Sequence, residues 1–303
     1  VAMKNFVLNI NSKRRLKRAL LGVASAPLLL GGIVTDAQAT EPCDDFGECK
    51  ALIEINTSDG DIGFHWLIDG DDLNSVRMDA PNGKKVYENK AFGPLRDQKL
   101  TETFGESAEP VCKESLKENE DDVVVTLEEF LERWDSGPYS ISGSADGGEK
   151  LFGMTELTYE IPAAPQDLEI VDGSVVLEWA PGDDLGECAT NEELEDLVDD
   201  GVLPIHPEDV NIDSYEVVME PDVDEDEPNA ALINSRVFSV RVPGNVTQVT
   251  VPQEYLLALG DETPVKFEVG AIGGEDNATF AERGDCEVSI NGGEAKVECE
   301  DED

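Results

Sequence analysis

Alternating apolar and polar residues dominate residues 40–160. Such alternation predicts β-strands with one buried face, and it occurs at residues 51–55, 63–68, 75–78, 85–88, 139–142 and 151–161. One helical signal interrupts the strands, because Thr126 and Glu129 match a capping box and the apolar residues that follow share one helical face. The pattern predicts a β-rich domain over residues 40–160 with a short helix at 127–134.

A second region begins after the proline-rich segment at residues 161–165, which is typical of a boundary between β-domains. Alternation then predicts strands at residues 174–179, 212–219, 236–242, 247–251, 265–272 and 277–280. An insertion at residues 181–209 carries its own helix, since Thr190 and Glu193 form another capping box. The second domain is therefore expected at residues 162–282.

Four features of this second region occur in a distinctive order: Pro165, then Trp179, then Tyr215-Glu-Val217, then the run at residues 263–272. On these residues the segment 162–282 resembles a fibronectin type III domain, and the resemblance implies a β-sandwich with Trp179 in its core. Val265 stands where that family has a corner tyrosine, so the corner hydrogen bond is absent or replaced. The N-terminal half is similar to domains that accompany such modules in secreted bacterial proteins. The expected fold class is all-β, with two β-sandwich-like domains and a few short helices.

The first 39 residues have the layout of an export signal. Basic residues cluster at 13–18, an apolar run follows at 19–34, and Ala37-Gln38-Ala39 matches a small-x-small cleavage site. The apolar run is shorter than the ~20 residues that a transmembrane helix needs. We therefore expect a signal peptide at residues 1–39, cleavage near Ala39, and a mature protein that is periplasmic, on the cell surface or secreted, without membrane insertion.

The charge is strongly negative, with 68 acidic against 22 basic residues and a formal net charge of −46. Six of the basic residues and one acid lie in the signal, so residues 40–303 carry 16 basic and 67 acidic residues, a charge of −51. A field of this sign disfavours nucleic acid and anionic lipid as partners. It favours either adaptation to a saline exterior, where salt screens the repulsion, or a dedicated role in binding calcium.

Three acidic clusters could supply the carboxylate oxygens that calcium prefers. None of them matches the 12-residue EF-hand loop, and Asp and Gly are also the ordinary residues of tight turns. Calcium binding and plain turn formation both remain open, and no other cofactor is expected. The candidate ligands are Asp59, Asp61, Asp69, Asp71, Asp72, Asp222 and Asp224.

Six cysteines, all after the signal, favour disulfides in an oxidising compartment. Cys286 and Cys299 flank two alternating arms around an Asn-Gly-Gly turn, which predicts a disulfide-closed hairpin leading into the acidic tail, with Cα atoms about 4.4–6.8 Å apart. Cys43 and Cys49 could close a small loop. Cys112 and Cys188 then pair by elimination. Zinc is not expected, because no C-x-x-C pair occurs and only two histidines are available.

No motif for nucleophilic or metal-dependent catalysis occurs in the sequence, and neither His65 nor His206 has a second histidine at helical spacing or a nearby Ser or Cys in a nucleophile context. Both histidines are interpreted as packed or solvated side chains. The leading hypothesis is a secreted, non-enzymatic binding, adhesion or structural protein whose partner is an extracellular protein, a polysaccharide or a second copy of itself. The alternatives are a domain of a polysaccharide-processing system and a calcium-dependent assembly subunit.

Overall fold

A computed structural model describes residues 43–117, 119–171, 175–224 and 226–300. Strands dominate and helices are few and short, which confirms the predicted all-β class. The predicted signal peptide lies outside the described residues. The strands are β1 (Glu48–Asn56), β2 (Asp61–Leu73), β3 (Ser75–Asp79), β4 (Lys85–Lys90), β5 (Leu100–Glu106), β6 (Gly137–Ser144), β7 (Lys150–Leu157), β8 (Gln166–Ile170), β9 (Val176–Ala180), β10 (Ile212–Pro221), β11 (Phe238–Pro243), β12 (Gln248–Thr250), β13 (Pro264–Gly273), β14 (Ala278–Asn291) and β15 (Glu294–Cys299). The helices are α1 (Gly93–Gln98), α2 (Leu127–Arg133), α3 (Asn191–Asp199), α4 (Ala230–Ile233) and α5 (Gln253–Leu259).

The largest sheet contains strands from both halves of the chain. Its order is β11-β10-β13-β14-β1-β2-β5, and β15 pairs with β14 as an eighth strand. The halves meet where β1 runs parallel to β14, with Glu54 opposite Ala278 and Asn56 opposite Phe280. The two regions that the sequence divides at residues 161–165 therefore share one continuous sheet.

One face of this sheet carries two hydrophobic cores side by side. Residues paired across neighbouring strands share a face, and Ile55 pairs with Thr279, which in turn pairs with Ala271. Ile55 belongs to the first core and Ala271 to the second. Thr279 lies between them and is completely buried.

The first core lies between strands β1 and β2 and a four-stranded sheet of order β4-β3-β6-β7. Phe64 is at its centre, and the Trp134 ring stacks on it nearly parallel, with centroids 4.0 Å apart. Helix α2 adds three apolar side chains to this core. Its capping box between Thr126 and Glu129 forms as predicted, and the helix ends one residue before the predicted Trp134.

The free edge of β7 is covered by the small disulfide loop that Cys43 and Cys49 close. The backbone N–H of Cys43 donates to the carbonyl oxygen of Met154, and that of Asp45 donates to the carbonyl of Phe152. An uncovered edge strand would offer these carbonyl groups to another chain. The loop therefore occupies two of the carbonyl groups on the edge of β7.

The second core lies between strands β10 and β13 and a three-stranded sheet of order β12-β9-β8. Trp179 on β9 is only 5% exposed, as predicted, and its ring meets Tyr215 edge-on at 5.4 Å. Val265 is buried at the start of β13. The Tyr255 hydroxyl lies 2.9 Å from the carbonyl oxygens of both Met219 and Arg236, and it ties the connection between β12 and β13 to the strands beside it.

The insertion at residues 181–209 packs on the first core, although it connects two strands of the second. Leu185, Leu194 and Leu203 are fully or almost fully buried there. The predicted helix forms as α3, with its capping box at Thr190. The disulfide between Cys112 and Cys188 fastens the insertion to the N-terminal half.

Asn277 is a second joint between the halves and is 1% exposed. Its side-chain oxygen accepts a hydrogen bond from the backbone N–H of Ile53 at 2.8 Å. Its amide nitrogen donates to the carbonyl oxygens of Thr158 and Glu160 at 3.0 and 3.1 Å. One side chain thus satisfies backbone groups of β1 and of the segment that follows β7, which would otherwise be buried without partners.

The hairpin at residues 286–299 forms as predicted from β14 and β15, and Cys286 is paired with Cys299. Their Cα atoms are 3.9 Å apart, slightly closer than the expected range. The neighbouring Glu300 N–H donates to the Asp285 carbonyl, so the cysteines occupy a non-hydrogen-bonded pair. Antiparallel strands bring Cα atoms closest at such pairs.

Candidate functional site

The face of the large sheet opposite the two cores carries titratable residues around a small buried apolar cluster of Ile272, Ala278 and Phe280, and we call it the polar face. Register places its residues in one row, because Leu52 pairs with His65, Glu54 with Ala278, Phe280 with Gly270, and Gly270 with Glu216. The titratable residues that belong to it are Glu54 on β1, His65 on β2, Glu216 and Glu220 on β10, Arg241 on β11, Lys266 and Glu268 on β13 and Glu282 on β14.

A histidine and two glutamates meet at one end of the polar face. One potential ligand atom from each of Glu54, His65 and Glu109 lies within 4.8 Å of the others. His65 Nε2 is 3.5 Å from Glu109 Oε1, which is an ion-pair distance beyond the 2.7–3.2 Å of ordinary N–H···O hydrogen bonds. Among the described residues, this is the group of His, Cys, Asp and Glu side chains that converges closely enough to hold a metal ion.

The loop after β5 places Glu109 over β2. The backbone N–H of Ser107 donates to the Phe64 carbonyl, and the N–H of Ile62 donates to the Pro110 carbonyl, so both ends of this short segment are held. Two residues later, Cys112 is fixed by its disulfide and donates its N–H to the Gly60 carbonyl. Glu109 is therefore held on both sides by structured backbone.

Gly63 leaves the space in which His65 and Glu109 meet. It lies two residues before His65 on the same face of β2 and pairs with Glu54. A Cβ atom at position 63 would lie 2.7 Å from His65 Nε2 and 3.2 Å from Glu109 Oε1. Any side chain there would push both groups away.

The charge of the surrounding carboxylates favours a cation at His65. Burial alone would lower the pKa of this imidazole, but the Glu109 carboxylate and the negative charges of Glu54 and Glu106 outweigh it and raise the pKa. The site therefore binds a proton more readily than an isolated histidine does. A metal cation at the same nitrogen would benefit from the same field.

A second charged group is centred on Lys266, farther along the polar face. Its Nζ lies 2.8 Å from Glu282, 3.7 Å from Glu220 and 3.9 Å from Glu268. Three carboxylates around one ammonium leave an excess of negative charge. Burial, together with a hydrogen bond shared with Glu268, raises the pKa of Glu282 to about 7 despite the nearby lysine.

We expect Glu282 to make the protein less stable as pH rises. Its native pKa of about 7 lies above the value of 4.5 for an unperturbed glutamate. The native state therefore binds more protons than the unfolded chain across this window, and the free energy of unfolding falls as pH increases through it. Urea unfolding at several pH values measures this slope.

The matched variants for this experiment lie on one strand. Glu282→Gln keeps an acceptor for Lys266 and a donor for Glu268 but cannot titrate, so it flattens the pH dependence. Glu287→Gln on β14, where the side chain is exposed, leaves the slope as in the wild type. If Glu282→Gln and the wild type have equal slopes, Glu282 is not the group responsible.

Asp59, Asp61, Asp69, Asp71 and Asp72, predicted as candidate calcium ligands, lie in or beside β2. Asp59 and Asp61 flank Gly60, which has a positive φ in the turn between β1 and β2. Asp69, Asp71 and Asp72 lie where the pairing of β2 with β5 shifts register. Burial and the charges of Asp71 and Glu48 raise the pKa of Asp69. None of the five belongs to the converging group at His65, and their calcium role stays a prediction.

Asp222 and Asp224 line a surface pocket of about 400 Å³. Glu227 and Glu262 lie in the same wall, together with Thr263 and Pro264. Their carboxylates do not come together in the way that those around His65 do. Acids from two separate segments thus face one cavity, and calcium binding here also stays a prediction.

The six cysteines form three disulfides with the pairings that the sequence suggested, Cys43–Cys49, Cys112–Cys188 and Cys286–Cys299. His206, in contrast, precedes a short helical turn, where its Nδ1 accepts the backbone N–H of Glu208. Sequence reasoning missed the grouping at His65. Strand alternation could have placed Glu54 beside His65, but the position of Glu109 depends on the disulfide-held loop.

No protein-family model matches this chain, and no curated protein matches it. Among solved structures, the chain is similar to one described as a biofilm-associated protein, BSP domain, with 9% sequence identity and a TM-score of 0.21. The match covers 78% of this chain and 29% of that structure, so the chain spans less than a third of its length. A TM-score of this size supports no inference about function. In the part of the chain that the structure describes, no helix is long and apolar enough to span a membrane.

Proposed function

We propose that this protein is a secreted, non-enzymatic component of the extracellular space that acts in binding, adhesion or structure. The observation that carries the proposal is the continuous eight-stranded sheet under both cores, reinforced by the disulfide between Cys112 and Cys188. Three disulfides fit an oxidising compartment. A protein that carries load or presents a surface needs rigidity of this kind. Two domains joined by a flexible hinge would not provide it.

We also infer that residues 162–282 form a fibronectin type III-like module. A three-stranded sheet of β8, β9 and β12 faces the strands β11, β10, β13 and β14, with Trp179 and Tyr215 between them. Two facing antiparallel sheets of this size are the architecture of that class of sandwich. The Tyr255 hydroxyl supplies a tether beside the position that Val265 occupies.

A deletion strain tests the proposal. We expect loss of the gene to reduce attachment of cells to a surface, and the wild-type chain to restore it. The Cys112→Ser/Cys188→Ser chain, exported at the same level, should restore it poorly. The purified chain should turn over no polysaccharide in a hydrolysis panel. Normal attachment in the deletion strain, or turnover by the purified chain, would reject the proposal.

The polysaccharide-processing alternative would be favoured by an exposed tryptophan or tyrosine platform beside acids. The three tryptophans instead pack in the cores: Trp179 is buried, and Trp66 and Trp134 are partly buried against the first core. The strongly exposed aromatic side chains among the described residues are Phe92, Phe104 and Phe152. A glycan array tests whether these bind sugars, and specific glycan binding would identify the partner as a polysaccharide.

We expect the melting temperature to rise between dilute buffer and seawater-like salt, because salt screens the repulsion among −51 formal charges. Screening is not specific for the ion, so sodium and calcium at matched ionic strength should act alike if the acids are only solvated surface. A much larger gain with millimolar calcium would instead favour coordination and the assembly alternative, which light scattering during a calcium titration would detect. A flat response to both salts would contradict the electrostatic argument.

A further inference from the structure

We infer that Glu54, His65 and Glu109 bind a first-row divalent metal ion, with zinc as the preferred one. This inference does not depend on the proposed function. One imidazole nitrogen and two carboxylate oxygens form a donor set that suits zinc. Calcium prefers six to eight oxygen ligands and gains little from an imidazole. The site is therefore distinct in chemistry from the predicted calcium clusters.

His65 Nε2 points into the group and is shielded from solvent. It makes no hydrogen bond of ordinary length among the described residues, and Glu109 lies at ion-pair distance from it. Burying a polar atom without a partner costs free energy, and coordination to a metal would satisfy it. The ring is only slightly exposed, with 14% of the side-chain surface accessible, whereas the Glu109 side chain is 32% accessible. Glu109 therefore faces the side from which an ion would enter.

The distances allow a metal after a small adjustment. Zinc holds nitrogen and oxygen ligands at about 2.0–2.2 Å, which places two tetrahedral ligands about 3.5 Å apart. His65 and Glu109 are already 3.5 Å apart, and all three ligand atoms lie within 4.8 Å. Closing the remaining separation requires movement of one carboxylate. Because Gly63 has no side chain, no atom of residue 63 lies between His65 and Glu109.

The decisive test of this site is whether metal binding requires His65. A chain of this charge attracts cations everywhere on its surface, so weak binding of any divalent ion is expected. The sequence contains two histidines. His206, whose Nδ1 accepts a backbone hydrogen bond, is outside the converging group and provides a matched control.

Calorimetric titration of the metal-free full chain with zinc chloride tests the inference. The titration is run at neutral pH in about 0.5 M NaCl, where surface attraction is screened over a few ångström. We expect one site per chain. His65→Gln and Gly63→Ala should weaken it by on the order of tenfold or more, while His206→Gln should leave it unchanged. Millimolar calcium should not compete.

Proton NMR of the wild type provides a second readout that needs no variant to fold. With two imidazoles in the chain, zinc should shift the ring resonances of His65 at one equivalent and leave those of His206 in place. Any of three results would overturn the inference: no saturable site, equal loss in the two histidine variants, or competition by calcium at equal concentration. A circular dichroism spectrum of each variant in EDTA shows whether its fold is intact.

Discussion

Replacing both Cys112 and Cys188 with serine should lower the free energy of unfolding by about 4.5 kcal/mol. The bridge joins residues 76 positions apart, and cross-linking such a long loop removes much of the entropy of the unfolded chain. It also holds the insertion, with Leu185 and Leu194, against the first core. Urea unfolding without reductant, followed by circular dichroism, measures the loss.

The hairpin disulfide provides the matched comparison. Cys286 and Cys299 are 13 positions apart, so the same entropy argument gives a smaller loss, about 3 kcal/mol, for Cys286→Ser/Cys299→Ser. Loss of the Cys112–Cys188 bridge should therefore lower the free energy of unfolding more than loss of the Cys286–Cys299 bridge. The reverse order would mean that the insertion stays on the first core without its bridge.

The local elements of this fold could be predicted from sequence because their signals are local. The capping boxes at Thr126 and Thr190 each depend on a residue three positions away, and both formed. The turn at residues 291–293 similarly defines the final hairpin. The burial of Trp179, which the resemblance to a fibronectin type III domain implies, is also confirmed.

The joining of the two halves could not be predicted in this way. The parallel pairing of β1 with β14 connects residues more than 220 positions apart, such as Glu54 and Ala278. No repeat or turn signal marks it. The insertion likewise has the amphipathic pattern of a helix that packs somewhere, but the pattern does not say on which core. Asn277 looks like an ordinary polar residue at the start of a predicted strand until its hydrogen bonds to both halves are known.

The site at His65 falls between these two cases. His65 and Glu54 lie in two consecutive predicted strands, which pair as β1 and β2, so their shared face follows once the register of that pairing is fixed. Glu109 comes from a loop whose path depends on Cys112 and its distant partner. From the sequence alone, His65 is therefore interpreted as packed or solvated. The group becomes recognisable only when the position of Glu109 is known.

Trp179→Ala should destabilise the protein by about 3–5 kcal/mol, which is the usual cost of removing a large aromatic side chain from a core. The ring is 95% buried and lies edge-on against Tyr215, so its loss leaves a cavity that the strands around it cannot fill. Chemical unfolding followed by far-UV circular dichroism measures the change.

Trp179→Phe separates packing from hydrogen bonding at the same position. The indole nitrogen of Trp179 is buried without a hydrogen-bond partner among the described residues, so phenylalanine removes an unsatisfied donor while it keeps a ring against Tyr215. The expected loss is about 1–2 kcal/mol, less than half that of alanine. Equal losses for the two variants would mean that the indole N–H makes a bond that stabilises the core. A loss below 1 kcal/mol for alanine would mean that Trp179 does not fill the core. The proposed fibronectin type III-like module would then lose the support of this residue, because such a module depends on a large side chain between its two sheets.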